Sequence, residues 1–183
     1  MEISSTFEIV KHSLYSVKYS NYGESEFRRL FNLWNDASAL FEFFQEHENE
    51  LNSPFWNGIS IEQAVLKTRR DAFLFEEKVL TIAQKGKLVK PDGLSSFFKP
   101  LSQGNLTYKF EKDKAKGPSQ KSWLRLYAIR IDSNLFLISG GGIKLTQTMN
   151  ESELLLKELD KLELVRKYLN DDQSSFFELY EIE

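Results

Sequence analysis

The chain has 183 residues, of which 41% are hydrophobic, and its formal net charge at neutral pH is −3. This length and apolar content predict one packed domain rather than two domains or a disordered chain. The absence of cysteine excludes disulfides, thiolate zinc sites and cysteine nucleophiles. No signal peptide and no run of ~18 apolar residues is visible, so we expect a cytoplasmic protein without membrane association. No metal site and no cofactor is predicted.

The N-terminal third predicts a β-hairpin followed by helices. Two short strands are indicated at residues 7–10 and 14–19, and the second alternates apolar and polar positions with a period of two. An apolar stripe at helical spacing then predicts helix over residues 24–51, with Ser25 as its N-cap. The Asn-Asp pair at 35–36 is expected to break this helix into two pieces.

The strongest helix prediction begins at Ser60. Ser60 and Gln63 have the spacing of a capping box, in which each side chain satisfies a free amide of the first turn. The helix is expected to reach about Gln84, with Gly86 as its terminator. A second long helix is predicted over residues 150–170, and an acidic tail follows it. The positions that recur at spacings of four and three along the first of these helices are Ile61, Val65, Thr68, Ala72, Phe75, Val79 and Ile82.

The residues between the two long helices predict the strands of a sheet. The run 123–131 is typical of a central strand, with Arg125 and Tyr127 on the same face as Trp123. Residues 135–138 are continuously apolar, as in a strand that is covered on both faces. We therefore predict an α+β fold with about four to five mostly antiparallel strands, one face of which is packed by both long helices.

Basic side chains are concentrated in residues 109–130, which hold seven of them against two acidic ones. The acidic chain as a whole argues against indiscriminate nucleic-acid binding, whereas a local basic face permits a specific anionic partner. The lysine-rich stretch 112–121 is either a solvated turn or a contact with RNA or the ribosome. Arg125 makes either a structural ion pair or a phosphate contact, since an unpaired buried charge is prohibitive. The glycines at 140–142 form either a bulge or strand end, or a ligand cradle.

The order of these elements resembles the RelE/HigB/ParE superfamily of toxin–antitoxin toxins over about residues 60–147. The motifs that carry the resemblance are KPL before a glycine turn, a basic strand, an LRLY strand, and an apolar strand that ends in glycine and lysine. That superfamily has a helical hairpin ahead of an antiparallel sheet. The resemblance implies a RelE-like core at residues 59–149, preceded by an N-terminal hairpin and helices (1–58) and followed by a C-terminal helix and acidic tail (150–183).

Members similar to RelE and HigB cut messenger RNA on the ribosome, so the resemblance implies a metal-independent, ribosome-dependent mRNA endoribonuclease. Carried over by position, Lys109 lies on the first basic strand, Arg125 on the central strand and Lys144 just after the last one. Arg125 and Lys144 are expected to stabilise the negative charge that develops at phosphorus, while a lysine or tyrosine assists proton transfer. The residues expected to contact RNA are Lys112, Lys114, Lys116, Lys121 and Tyr127.

An alternative function is a non-catalytic binding protein of the same fold, which engages a protein partner such as an antitoxin-like peptide through the sheet face. The chain departs from the toxins in its acidic charge and its length, and KLTQTM stands where the family commonly has His or Tyr. The residues leave open the oligomeric state and whether the C-terminal helix and tail cover the basic face. Exposed aromatic side chains would favour the alternative, and the candidates are Phe97, Phe98, Phe176 and Phe177.

Overall fold

The computed structural model describes residues 1–86, 93–101, 110–146 and 153–171, with side chains in the last range from residue 156 onward. The described residues form six strands and six helices. The strands are β1 (Ile3–Val10), β2 (Leu14–Tyr19), β3 (Lys99–Pro100), β4 (Glu111–Lys116), β5 (Leu124–Asp132) and β6 (Leu135–Ile143). The helices are α1 (Glu26–Asn35), α2 (Ala37–Glu46), α3 (Glu48–Leu51), α4 (Ile61–Lys85), α5 (Leu94–Phe97) and α6 (Glu153–Asp171). Among the described residues, no helix combines the length and the apolar character that a membrane crossing requires.

The six strands form one mixed sheet in the order β1-β2-β6-β5-β4-β3. β2 and β6 run parallel, and the other neighbouring strands are antiparallel. The predicted α+β class is confirmed, with six strands and one parallel pair. The extra strand β3 has only two residues, too few to show an alternating pattern. The parallel pair requires a long crossover between its strands, which the helices after β2 begin.

The sheet is covered on both faces, and the prediction that both long helices pack on one face is wrong. α1 and α4 lie on one side, where the cluster of buried side chains includes Leu126 and Phe136 of the sheet. α6 lies on the other side, where Leu162 and Val165 pack in one cluster with Ile129. Strands β5 and β6 carry apolar side chains on both faces, so each face needs its own helical layer. The sheet is therefore the middle layer of three.

Short capping interactions set the boundaries of the helices. Asp36 makes the predicted break between α1 and α2, because its carboxylate accepts hydrogen bonds from two first-turn amides of α2 at 2.9 and 3.1 Å. Ser25 is the N-cap of α1, but its side chain makes no capping hydrogen bond. The predicted capping box of α4 is formed by Ser60 and Gln63, and Gly86 is the C-cap. The local sequence thus defines these helices well.

A β-bulge interrupts the ladder between β5 and β6 directly before the glycine run, whose three residues pair regularly with β5. The register shifts between Tyr127 and Ala128 of β5, so Ser139 of β6 is the extra residue. A Cβ atom at Gly141 would lie 2.5 Å from a carbonyl oxygen of β5 and 2.9 Å from Leu30 Cδ1. Glycine at this position therefore lets α1 pack closely on β6.

Three buried titratable side chains and one half-buried arginine form a network between α1 and α6. The Glu26 carboxylate accepts two hydrogen bonds from Arg29 at 2.8 and 2.9 Å and one from Lys161 at 3.3 Å. The Glu158 carboxylate accepts from Lys161 at 2.7 Å and from the backbone N–H of Gly141 at 2.8 Å. Burial raises the pKa of the Glu158 carboxyl, although Lys161 opposes the shift. This network attaches α6 to α1 and to β6.

We expect Ser60→Ala to lower the free energy of unfolding by about 1 kcal/mol, because it leaves a first-turn amide of α4 unsatisfied. Ser25→Ala is the matched control, since Ser25 holds the same position at α1 without a side-chain bond. Its effect should stay below about 0.5 kcal/mol. Urea unfolding of both variants measures the difference, and equal losses would contradict the assignment of the caps.

The raised pKa of Glu158 predicts a specific dependence of stability on pH. An acid that binds its proton more tightly in the folded protein loses stabilisation as the pH rises from its ordinary pKa through the raised one. We therefore expect the free energy of unfolding of wild type, relative to Glu158→Gln, to fall as the pH increases above the ordinary pKa of a glutamate.

Glu163→Gln is the control of opposite sign on the same helix. Slight burial opposes ionisation of Glu163, but contacts from Lys112 and Arg166 outweigh it and lower the pKa. An acid with a lowered pKa contributes stability above its unfolded pKa and loses it as the pH falls. Wild type relative to this variant should therefore gain stability as the pH rises. Parallel curves for the two variants would contradict the assigned pKa directions.

Candidate functional site

A basic pocket of about 480 Å³ lies at the end of the sheet where β4 and β6 end and β5 begins. The antiparallel ladders bring these strand ends together, since Lys116 pairs with Arg125 and Arg125 pairs with Gly142. The loop between β4 and β5, the residues after β6 and the loop after α3 complete the walls. The described lining residues are Phe55, Trp56, Lys116, Gly117, Ser119, Lys121, Ser122, Arg125, Lys144 and Thr146.

Four of these lining residues are cations, and no carboxylate is among the described ones. Lys121 has its ammonium 5.5 Å from the centre of the Phe55 ring. The backbone N–H of Lys144 donates to Trp123 O at 2.8 Å, which continues the pairing of β6 with the chain just before β5. Like charges gathered around one concavity focus a positive potential there. The pocket is therefore suited to an anionic group.

Arg125 contacts carbonyl oxygens instead of the carboxylate that a structural ion pair would require. Its Nη1 donates to Ser122 O and Leu124 O, each at 2.8 Å. Within the described residues no salt bridge to Arg125 is formed, and burial lowers the pKa of its guanidinium. A guanidinium has five N–H donors, so donors remain for an anion in the pocket.

The alternation along β4 separates its charges by face. Glu111 and Asp113 lie on the face of Arg130, whose Nη2 contacts their carboxylates at 3.0 and 2.8 Å. The lysines take the opposite face, which is the face of Arg125 and of α6. Burial, followed by the charges of Lys116 and Arg125, lowers the pKa of Lys114. The acids of this strand therefore neutralise Arg130 and leave the lysine side positive.

A buried carboxylate behind the pocket holds the loop between β4 and β5. Ser119 Oγ donates to Asp71 Oδ2 at 2.5 Å, and Lys67 Nζ donates to the same oxygen at 2.7 Å. Asp71 is only 3% exposed and belongs to α4. The contact joins residues 48 positions apart. No local pattern in the sequence indicates it, and it fixes the loop that carries Lys121.

Two aromatic side chains form the apolar wall, and the sequence interpretation did not include them. Phe55 is 45% exposed, and Trp56 is held by a hydrogen bond from its Nε1 to Leu145 O at 2.7 Å. The sequence could have indicated this wall, because it has two large aromatic residues in a loop bounded by Pro54 and Gly58. Loops run over the protein surface and often carry binding residues.

The structure places the predicted site residues in several different environments. Four of them line the pocket, namely Lys116, Lys121, Arg125 and Lys144. Lys112 forms an ion pair with Glu163 of α6, and Lys114 is partly buried. Tyr127 is fully buried under α6, so its predicted contact with RNA is wrong. Lys109 lies outside the described residues.

The expected face of Trp123 is wrong, and two of the aromatic candidates for a partner surface pack into or against the core. Trp123 does not share the face of Arg125: it precedes β5, and its Nε1 donates to Thr68 Oγ1 on the α4 side at 2.9 Å. Phe98 is fully buried, and Phe97 packs against Phe75 at a ring distance of 5.9 Å. These rings complete the core instead of forming an exposed partner surface. The other two aromatic candidates, Phe176 and Phe177, lie outside the described residues.

Among the described residues, no group of three or more His, Cys, Asp or Glu side chains has the arrangement of a metal site. The pocket instead combines cationic, hydroxyl and aromatic side chains. No family model, no curated protein and no solved structure matches this chain.

Proposed function

We propose that this protein binds single-stranded RNA in the basic pocket and cleaves it there, as a cytoplasmic endoribonuclease similar to the ribosome-dependent toxins that the sequence resembles. The observation that carries the proposal is the gathering of four cations and two aromatic rings around one pocket whose described lining contains no carboxylate. No cofactor and no metal is part of the proposal.

The pocket has the two components that single-stranded nucleic-acid sites combine. Lysine and arginine side chains neutralise phosphates, and aromatic rings stack on unpaired bases. The volume of about 480 Å³ is within the range of about 300–1,000 Å³ that holds small ligands. The pocket therefore suits one or two nucleotides of a single strand, with Phe55 and Trp56 beside the bases.

The proposed reaction is an in-line displacement at phosphorus. The ribose 2′-oxygen attacks the adjacent phosphate while the bond to the 5′-oxygen breaks, which leaves a cyclic phosphate and a free 5′-hydroxyl. A base accepts the proton of the 2′-hydroxyl, and the departing 5′-oxygen gains a proton. Arg125 and Lys144 stabilise the negative charge that develops on the phosphoryl oxygens. Lys116 and Lys121 hold the flanking phosphates. Lys109 stays a candidate for proton transfer.

The end of the sheet, rather than its open face, is the RNA site in this proposal. α6 packs over β5 and β6 on the face of Arg125, and Lys112 is bound to Glu163 of that helix. The four lining cations lie in a pocket whose described lining includes no residue of α6. The alternative, a protein partner on the sheet face, needs α6 or the helices of the other side to move. It stays a prediction that the following experiment also tests.

We expect expression of the intact chain in bacterial cells to arrest translation rapidly, and Arg125→Ala with Lys144→Ala to relieve the arrest. The matched control is Arg28→Ala with Lys85→Ala, which removes one arginine and one lysine that are exposed and line no described pocket. Growth and pulsed incorporation of labelled amino acids are followed in parallel.

Normal growth with soluble wild type and control proteins would contradict the toxin-like activity and favour the binding protein. The thermal unfolding of each variant, and of Arg125→Ala alone, is recorded as well. A loss of stability above about 3 kcal/mol in Arg125→Ala would assign that residue a structural role instead.

We expect the affinity for a fluorescent single-stranded RNA to fall steeply with salt, because each neutralised phosphate contributes a slope of about −0.7 in a plot of log affinity against log salt. The variant without Arg125 and Lys144 should have a slope shallower by up to about 1.4. Phe55→Ala should weaken binding by about 1–3 kcal/mol without changing the slope, since stacking carries no charge. A flat salt response of wild type would contradict phosphate binding.

A further inference from the structure

A second cavity, of about 660 Å³, lies between α1, α2, the end of β6 and α6. It shares no described lining residue with the basic pocket. Its wall is formed largely by apolar side chains, including Leu30, Leu33, Trp34, Leu40, Phe43 and Ile143. A large apolar cavity with a few convergent polar groups is the usual form of a small-molecule site.

The polar side of this cavity carries more positive than negative side chains. Arg29, Lys157 and Lys161 line it together with Glu158 and Asp160. Arg29 donates from Nε and Nη2 to the buried Glu26, and its side chain is 21% exposed. The Glu26 contact holds the guanidinium in place, and N–H donors of Arg29 remain unused by the described residues. A hydrogen-bond acceptor with a negative charge complements this arrangement.

The stability of the core alone does not require charged side chains in the buried network under the cavity. Hydrophobic residues of similar volume often replace buried ion pairs at no loss of stability. Here Glu26, Glu158 and Lys161 are all less than a tenth exposed, and the network extends to the polar side of an apolar cavity. Burial raises the pKa of the Glu158 carboxyl, and a perturbed titratable group beside a cavity is characteristic of a binding site.

We propose that this cavity binds a small amphiphilic monocarboxylate. Its hydrocarbon body lies against the apolar wall, and its carboxylate lies on Arg29 and Lys157. A neutral hydrocarbon leaves the cationic donors unused. A dicarboxylate or a sugar brings further polar groups against the apolar wall, where they lose hydrogen bonds to water. This site does not depend on the proposed function of the basic pocket.

Isothermal titration of the intact protein with octanoate and with 1-octanol tests the proposal, because the two probes differ only in the head group. We expect octanoate to bind at least about tenfold more tightly than octanol. No binding of octanoate, or equal affinity for both probes, would overturn the proposal.

Substitutions locate the bound probe. Ala39→Trp should abolish octanoate binding. Ala39 is a half-buried residue of α2 that lines the cavity, and a tryptophan ring at this position would fill the space that the probe occupies. Ala37→Trp is the matched control, since Ala37 is exposed on the same helix and does not line the cavity. Unchanged binding in Ala39→Trp, confirmed as folded by circular dichroism, would overturn the proposal.

A second pair of variants tests the same site in case Ala39→Trp does not fold. Leu33→Glu places a negative charge at a lining residue that is 41% exposed, and it should reduce octanoate affinity at least about tenfold by repulsion and lost apolar contact. Leu66→Glu makes the same change on α4 at a residue that is 65% exposed and lines no described pocket. Equal affinities of these two variants would overturn the proposal.

Discussion

Strand β6 lies between β2 and β5 and is buried along most of its length, so it must be covered from both sides. Its backbone also has to accept close neighbours, which is why the run from Gly140 to Gly142 follows the bulge. α1 approaches on one face at Gly141, and Glu158 of α6 binds the amide of the same residue. The three layers of the fold are therefore held together around one short segment of backbone.

Covering both faces determines where an anion can bind. Lys112 of β4 is held in an ion pair with Glu163 of α6, whereas the described lining of the basic pocket at the strand ends includes no residue of α6. The ladder register brings Lys116 beside Arg125 at that end, and the contact between Asp71 and Ser119 fixes the loop beside them. The basic pocket is thus a consequence of the same packing that buries Tyr127.

Most elements of the fold are predictable from local patterns. The capping residues Asp36 and Ser60 and the alternation along β5 each act within one turn or one strand, where a few residues supply the whole signal. The arrangement of the helices on the two faces of the sheet could not be predicted from local patterns. Apolar side chains on both faces of β5 require two covering layers, but the pattern does not say which helix covers which face. The same limit explains why the burial of Tyr127 under α6 was missed.

The sequence by itself determined the α+β class and the two long helices, because capping residues and apolar periodicity are local properties. It also indicated Arg125 on a central strand and Lys144 just after the last strand. Only the tertiary structure decided that these two cations share a pocket with Phe55 and Trp56, which belong to a distant loop. It also decided that Arg29 and Lys161 border an apolar cavity. Contacts between residues far apart in the chain depend on how the layers pack, and no local periodicity records that packing.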